Sequence, residues 1–468
     1  MSEGFAWTSR RVVEALEPDD RIGPERRYTD VSTDTRKLRP GALFVALRGE
    51  RFDGADFVSA AAEAGAAGAV VDRRVAGVPE DIELFVVDDG LSALGRLATY
   101  RRRALAPLVV AITGTSGKTT TRELTVAALG GRAYGSPGNL NNLVGVPLSM
   151  LAAPEEAAIW VLELASNQPG EIGRLARVAN PDHAVVTTVA EGHLEGLGDF
   201  EGVLEEKLAL LEPLAAAGRA FVADEPEALA RTARARHAGV VTVGLGPGAD
   251  VRAESWRSTE AGVEWTWQGA VFRLPGFGSH LVRNGLFAAA VAELVGVLPV
   301  TAAERLAGVR LPPMRNEVRR LGGMTLLVDC YNANPASFRA ALEALEGLAS
   351  GRRRVVVAGT MLELGVESAA LHERVAAEMI RTGVDTVAAV GAFAEAFARL
   401  GEAGETEVIP ADDLEEAYRR LVARLQGDEA VLIKASRGMR FERAVEMFER
   451  DFGGAGGPAA PEAERGRR

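Results

Sequence analysis

The sequence predicts an α/β protein of three domains, a central parallel-sheet domain between a small N-terminal α/β domain and a C-terminal Rossmann-like α/β domain. Three observations carry this reading. At 468 residues the chain is longer than one hydrophobic core usually organises, so two or three domains are expected. Short apolar runs alternate with helix-like stretches, the pattern of mostly parallel sheets covered by helices. Within ALAPLVVAITGTSGKTTTRELTVAAL, an apolar strand runs into a glycine-rich turn and then a helix, the order that builds a phosphate-binding loop.

Residues 1–106 form the first domain, in which ALFVAL, GAVVD and IELFVVDD read as strands and FVSAAAEAGAAG as a helix. LATYRRRALAP is a helix end and linker. The second domain, 107–314, opens with LVVAITG and the helix TTTRELTVAAL, closed by Gly130 and Gly131. AIWVLEL, HAVVTTVA, RAFVAD and GVVTVG continue its sheet. VRAESW and GVEWTWQGAVFRL read as antiparallel edge strands with a turn at Gly262. After LPPMR the pattern restarts, and 315–452 carries TLLVDCY, RRRVVVAG, VDTVAAVG and EAVLIKAS, each followed by a helix. The tail, 453–468, has the glycine, proline and charge content of a disordered end.

A formal charge of −12 argues against general nucleic-acid binding, which needs a positive field over phosphates. One cysteine, Cys330, leaves no internal disulfide and fits a reducing compartment. The N-terminus lacks a signal-peptide apolar region, and no apolar run reaches the ~18 residues of a membrane span. A cytoplasmic protein that meets no membrane is expected.

Lysine is scarce: of 53 basic residues only Lys37, Lys118, Lys207 and Lys434 are not arginine. A lysine is a compact ammonium that folds under a phosphate or loses its proton and reacts, whereas arginine is a permanently charged fork. In the loop Gly114, Thr115, Ser116, Gly117, Lys118, Thr119 and Thr120, backbone N–H groups and the helix dipole face a phosphate. Lys118 would reach the terminal phosphates of ATP, and the Thr119 hydroxyl would bind Mg²⁺. The loop is shorter than the common GxxxxGK[ST] form, with two residues between its glycines. These features make the central domain a P-loop ATPase by expectation.

The short loop, followed by GNLNNLVGVPLSML, resembles that of the Mur ligase superfamily. STDTRKLRPGALFVALRGERFDG, LELASNQPGEI, EGHLEGLGDFEGVLEEK, GSHLVRNGLFAAAVA, DCYNANPAS, GTMLELG with His372, and LIKASRGM extend the resemblance in the family's order from about Tyr28 to Phe448. It implies an ATP-dependent amide ligase that phosphorylates a carboxylate and lets an amine attack the acyl phosphate. Within the superfamily, the motifs are most similar to the branch that adds D-alanyl-D-alanine to a UDP-N-acetylmuramoyl-tripeptide in peptidoglycan synthesis. A monomer using two Mg²⁺ ions is implied. A relative with another amine, or a non-catalytic ATP-binding scaffold, stays open at this point.

Residue by residue, the resemblance makes Glu163 and His193 Mg²⁺ ligands or neighbours of one, and Lys207 a carbamate formed with CO₂ that binds the second Mg²⁺. Taken alone, Lys207 in VLEEKLALLE reads as a surface lysine paired with glutamates. Asn284 resembles the adenine-contacting asparagine, with His280 near it. Arg315 resembles a linker arginine that reaches the γ-phosphate, and Asp329 an aspartate that contacts the ribose. Asn332 and Asn334 would face the cleft from the closing domain, or else form the turn before Pro335. Lys434 takes either a phosphate-side or a solvated place, and Lys37 the surface. In the first domain Ser32, Thr33, Asp34, Thr35 and Arg36 resemble the segment that recognises uridine diphosphate, with Asp53 and Gly54 in a second loop.

The chain departs from the usual pattern at Thr188, Ser166, Gln168, Leu281 and Thr360. It lacks the DNPR motif of the enzyme that adds the third peptide residue and the opening glycine-rich loop of the alanine-adding member. Folylpolyglutamate synthases have no counterpart to its first hundred residues.

Overall fold

The structure, a computed structural model, describes residues 5–453; the expected disordered tail lies, beyond Gly453, outside the described residues. Three large, mostly parallel sheets follow one another along the chain. The first has five strands in the order Asp20–Ile22, Glu83–Val86, Gly68–Val71, Leu43–Val45 and Val31–Ser32, parallel except for the first pair. Its end is pinned by buried Glu83, which accepts from Ser9, Tyr28 and Arg21. Helix Gly90–Leu105 leaves this domain and ends at Ala106 in a left-handed conformation, just before Pro107.

The central sheet has seven parallel strands in the order Val251–Arg252, Val240–Gly244, Ala220–Ala223, His183–Val186, Leu108–Thr113, Ile159–Glu163 and Ala133–Gly135. Leu108–Thr113 lies between His183–Val186 and Ile159–Glu163, and the chain-order reversal beside it opens a crevice at the carboxyl ends of the strands. Val109, Val110, Ala111 and Ile112 are fully buried, as a strand covered on both faces requires.

The antiparallel reading of 251–274 needs correction. Val251–Arg252 extends the parallel sheet, while Ser255–Thr259, Gly262–Trp267 and Ala270–Leu274 form a separate three-stranded antiparallel sheet. Its first turn lies at Glu260 and Ala261. Gly262 begins the next strand at φ +136°, where a Cβ would sit 2.0 Å from the Leu274 carbonyl oxygen. Trp265 stacks on Phe272 at 5.0 Å between ring centroids. The same indole lies against helix Ser279–Leu294 at Gly285, where a Cβ would meet the ring at 2.4 Å. Sheet and helix approach closely only because residue 285 has no side chain, and this seats the helix that carries His280 and Asn284.

The third sheet has six strands in the order Glu317–Leu321, Met324–Val328, Ala430–Lys434, Arg354–Ala358, Thr386–Val390 and Glu407–Ala411. Only the hairpin at its edge is antiparallel. Helices such as Pro335–Ala349 and Ser368–Arg381 cover it. No helix among the described residues is long and apolar enough to cross a membrane.

Candidate active site

The site forms where the carboxyl edge of the central sheet faces the third domain across a cavity of about 340 Å³. Gly114 and Gly117 take φ +142° and +84°, and a Cβ on Gly114 would lie 2.2 Å from Thr187 Oγ1. Only glycine satisfies both demands. Helix Lys118–Leu129 starts at Gly117 without a side-chain cap, so its first N–H groups are free to meet an anion. Lys118 Nζ donates to the Gly114 and Thr115 carbonyls at 2.7 and 3.2 Å. Burial pushes its pKa down to about 8; Glu163 opposes the shift and Arg315 adds to it.

Glu163 ends its strand 1 % exposed. Its Oε1 accepts from Thr119 Oγ1 at 3.1 Å and Asn141 Nδ2 at 2.8 Å, and its Oε2 from Arg122 Nη1 at 3.1 Å. Sequence reasoning missed Arg122 and Asn141. The signal was present: Arg122 lies one helical turn after Thr119, on the same face, and Asn141 stands inside the quoted GNLNNL segment.

Lys207 lies at the end of helix Phe200–Leu208, and the surface reading fails, because it is 1 % exposed. Its neighbours are committed elsewhere: Glu206 accepts from the Gly170 and Ile172 N–H groups at the start of helix Glu171–Ala179, and Glu205 pairs with Arg236. Nζ instead donates to Ser166 Oγ at 2.7 Å. Burial, then the Lys118 ammonium, push its pKa down to about 7 against the pull of Glu206 and Glu171.

His193 lines the cavity at φ +58°, and its Nδ1 is 2.6 Å from Glu363 Oε2 of the third domain. That hydrogen bond holds the Glu363 carboxyl below the usual carboxylate range. Asn284 is buried with its Oδ1 against Gly117, where a Cβ would be 2.8 Å away. His280 beside it contacts Asn316 Nδ2 at 3.2 Å, and burial lowers its pKa.

From the third domain, the Arg315 guanidinium sits over the Tyr331 ring, 3.9 Å from its centroid. Asp329 accepts from the Asn316 N–H at 3.0 Å and pairs with Lys434 Nζ at 2.5 Å. Lys434 is therefore not solvated; it is 1 % exposed and also donates to the Asn332 carbonyl at 3.2 Å. Asn334 joins both of its expected roles, capping helix Pro335–Ala349 through Ser337 N–H and donating to Ser116 Oγ at 3.0 Å. Thr115, Thr120 and Asn332 line the same cavity.

The first-domain candidates are elsewhere and do not line it. Asp34 caps the short helix Thr35–Lys37 and holds Arg36 through two bonds of 2.8 and 2.9 Å, which lower its pKa to about 2. Ser32 Oγ accepts from the Asp34 N–H, and Thr33 lies between them. Asp53 caps Gly54–Phe57, and Lys37 is exposed as expected.

Comparison with known proteins bears on this arrangement. Three family descriptions match in succession: "Mur ligase family, catalytic domain" over residues 27–102, "Mur ligase middle domain" over 112–292, and "Mur ligase, glutamate ligase domain" over 314–437. The UDP-N-acetylmuramoyl-tripeptide--D-alanyl-D-alanine ligase of Bacillus subtilis is 37% identical over 427 residues, covering 89% of this chain and 92% of the relative. The chain belongs to the Mur ligase family.

The Escherichia coli enzyme of the same name is 36% identical, with 90% of this chain and 93% of the relative covered. Among solved structures, MurF from Acinetobacter baumannii superposes with a TM-score of 0.87 at 28% identity, covering 96% of this chain and 99% of that one. MurF ligase from Thermotoga maritima in complex with ADP gives 0.80 at 29% identity, with 90% and 97% covered. In this Mur ligase three of the five unusual positions have physical employment. Ser166 is the partner of Lys207, Thr360 Oγ1 accepts from the Ala392 N–H at 3.0 Å, and Leu281 is 2% exposed in the core.

Proposed function

We propose that this chain joins D-alanyl-D-alanine to a UDP-N-acetylmuramoyl-tripeptide at the expense of ATP, forming ADP and phosphate, in the cytoplasmic assembly of the peptidoglycan precursor. The observation that carries the reading is one cleft that gathers a phosphate loop with Lys118 from the central domain and Arg315, Asp329 and Asn334 from the next. A carboxylate is a poor electrophile, so the γ-phosphoryl group passes to it first; the amine then attacks the acyl carbon and phosphate leaves. In this reading residues 1–106 bind the UDP end of the substrate, 107–314 bind ATP, and 315–452 form the ligase domain of a monomer.

Lys118 and the uncapped helix N-terminus hold the β- and γ-phosphates, and Arg315 adds positive charge from the closing side. Asn284 and His280 take the adenine side, and Asp329 the ribose. Ser32, Thr33, Asp34 and Arg36 recognise the diphosphate. Docking of Asn334 onto Ser116 excludes water from the acyl phosphate.

The residues fit Mg²⁺. Thr119 Oγ1 and Glu163 Oε1 are 3.1 Å apart, the separation expected of adjacent ligands about 2.1 Å from an octahedral ion. No cluster of three or more His, Cys, Asp or Glu side chains suited to a metal occurs among the described residues, which suits an ion that takes phosphate oxygens and water as its other ligands. Thr119, Glu163 and His193 would hold the ions, which screen the charge between phosphate and carboxylate. For the second ion, the neutral Lys207 amine adds to CO₂, forming an N–C bond and releasing one proton, and becomes a carbamate anion.

Phosphate release with UDP-N-acetylmuramoyl-tripeptide and a panel of amines tests the reading. Release with D-alanyl-D-alanine and not with single amino acids is expected. Preference for another amine refutes the dipeptide, and no release with any pair refutes the ligase.

A further inference from the structure

Segment 359–365 of the third domain meets segment 190–196 of the central domain, and both sides of the contact are built. His372 is fully buried; its Nε2 accepts from the Met361 N–H at 2.9 Å and its Nδ1 donates to the Ser368 carbonyl at 2.7 Å. Ser436 Oγ accepts from the Leu362 N–H at 2.9 Å. These bonds fix the backbone around Glu363, which takes φ +64°. A left-handed backbone is unfavourable for a residue other than glycine and persists where its surroundings over-determine it. The Glu363 carbonyl accepts from the Glu195 N–H at 3.2 Å while its carboxylate reaches His193, itself at positive φ. Two constrained segments, 170 positions apart in sequence at their contact, thus converge on one imidazole.

We propose that Glu363 is a positioning residue for His193, delivered when the third domain docks. Its carboxylate fixes Nδ1 as the protonated nitrogen and sets the ring plane. Nε2 then keeps its lone pair, has no partner among the described residues, and belongs to a side chain that lines the nucleotide cleft. Partners of this kind orient metal-ligating histidines and raise their basicity. The inference rests on the reading of His193 as a metal ligand. It adds that the ligand nitrogen is set only in the docked state, so that closure and metal binding are one event. Arg374, which pairs with Glu191 at 2.9 Å across the same interface, offers a control, because it joins the domains without touching His193.

The test is Mn²⁺ binding in the presence of ADP, followed by electron paramagnetic resonance, with kcat and KM measured alongside. Glu363→Ala is expected to weaken Mn²⁺ about tenfold and to lower kcat by a similar factor with little change in KM for the UDP substrate. Glu363→Gln, whose amide oxygen still accepts from Nδ1–H, recovers part of both. Arg374→Ala binds Mn²⁺ as the parent does, and Glu363→Ala adds nothing in a His193→Ala background. Parent-like Mn²⁺ binding by Glu363→Ala, with His193→Ala weakened, overturns the positioning role and leaves the metal reading standing. Parent-like binding by His193→Ala overturns both. An equal loss in Arg374→Ala reduces the contact to plain interdomain adhesion and also overturns the proposal.

Discussion

Replacing Lys207 by methionine should stabilise the protein while destroying its activity, by an amount that depends on pH. The side chain is 1 % exposed, donates one hydrogen bond, and has no carboxylate within ion-pair distance among the described residues. Its pKa falls from 10.5 to about 7 because burial, and then Lys118, disfavour the ammonium. A lysine with a lowered folded-state pKa opposes folding most below that pKa, where it is charged in both states. The opposition fades as pH rises from about 7 to 10.5, where the unfolded chain still holds the proton. The cost is about 5 kcal/mol at pH 6, about 3 at pH 8 and about 1 at pH 10. Methionine keeps the straight shape and removes the charge, and orphaning Ser166 returns about 1 kcal/mol of the gain. In buffers freed of CO₂ the variant should melt roughly 10 °C higher at pH 6, less at pH 8 and at the same temperature at pH 10. With ¹³C-bicarbonate at pH 8, a carbamate carbon signal should appear in the parent and be missing from the variant, which should release no phosphate. A stability difference that does not change between pH 6 and 10, or a variant less stable at pH 6, would refute the charge argument.

Lys118→Arg should lower kcat at least about a hundredfold without altering the circular dichroism spectrum, because a planar fork cannot fold onto the Gly114 carbonyl as the ammonium does. ADP affinity, by calorimetry, should be fully present below about pH 8 and fall above it as Lys118 loses its proton, a dependence that Lys118→Ala should abolish. Asn316 holds the Phe277 N–H and carbonyl, at 2.9 and 2.8 Å, from a backbone at φ +52°. Asn316→Ala should destabilise by about 3 kcal/mol, seen as a melting transition lower by roughly 5–10 °C, while Asn316→Gly, free at that φ, should lose less.

What the sequence made legible was local. The phosphate loop occupies seven consecutive positions, 114–120, and each demand on it (strand, positive-φ glycine, lysine, hydroxyl, helix) is met by a neighbour in the chain. The parallel strands were legible for a similar reason: a strand buried on both faces, such as Val109–Ile112, must be apolar throughout. The segment 251–274 was misread because a short edge strand and a hairpin share the same alternating composition. What separates them is the neighbour each strand finds: Val251–Arg252 pairs with Val243 and Gly244 of the central sheet, whereas Ser255–Thr259 pairs with the strand that begins at Gly262.

The state of each site residue is a different kind of fact. Nothing near Lys207 in VLEEKLALLE says that Glu206 will turn to the end of another helix and leave the lysine without a carboxylate partner; that follows from the packing of helix Glu171–Ala179 beside it. Lys434 and Asp329 are likewise 105 positions apart and become a pair only because Met324–Val328 and Ala430–Lys434 lie side by side in one sheet. Each of these two lysines was singled out by a motif, yet its partner is decided by elements outside that motif. A motif can therefore specify which atom stands at a site. Its partner depends on which surfaces meet, and for His193 that surface belongs to the third domain.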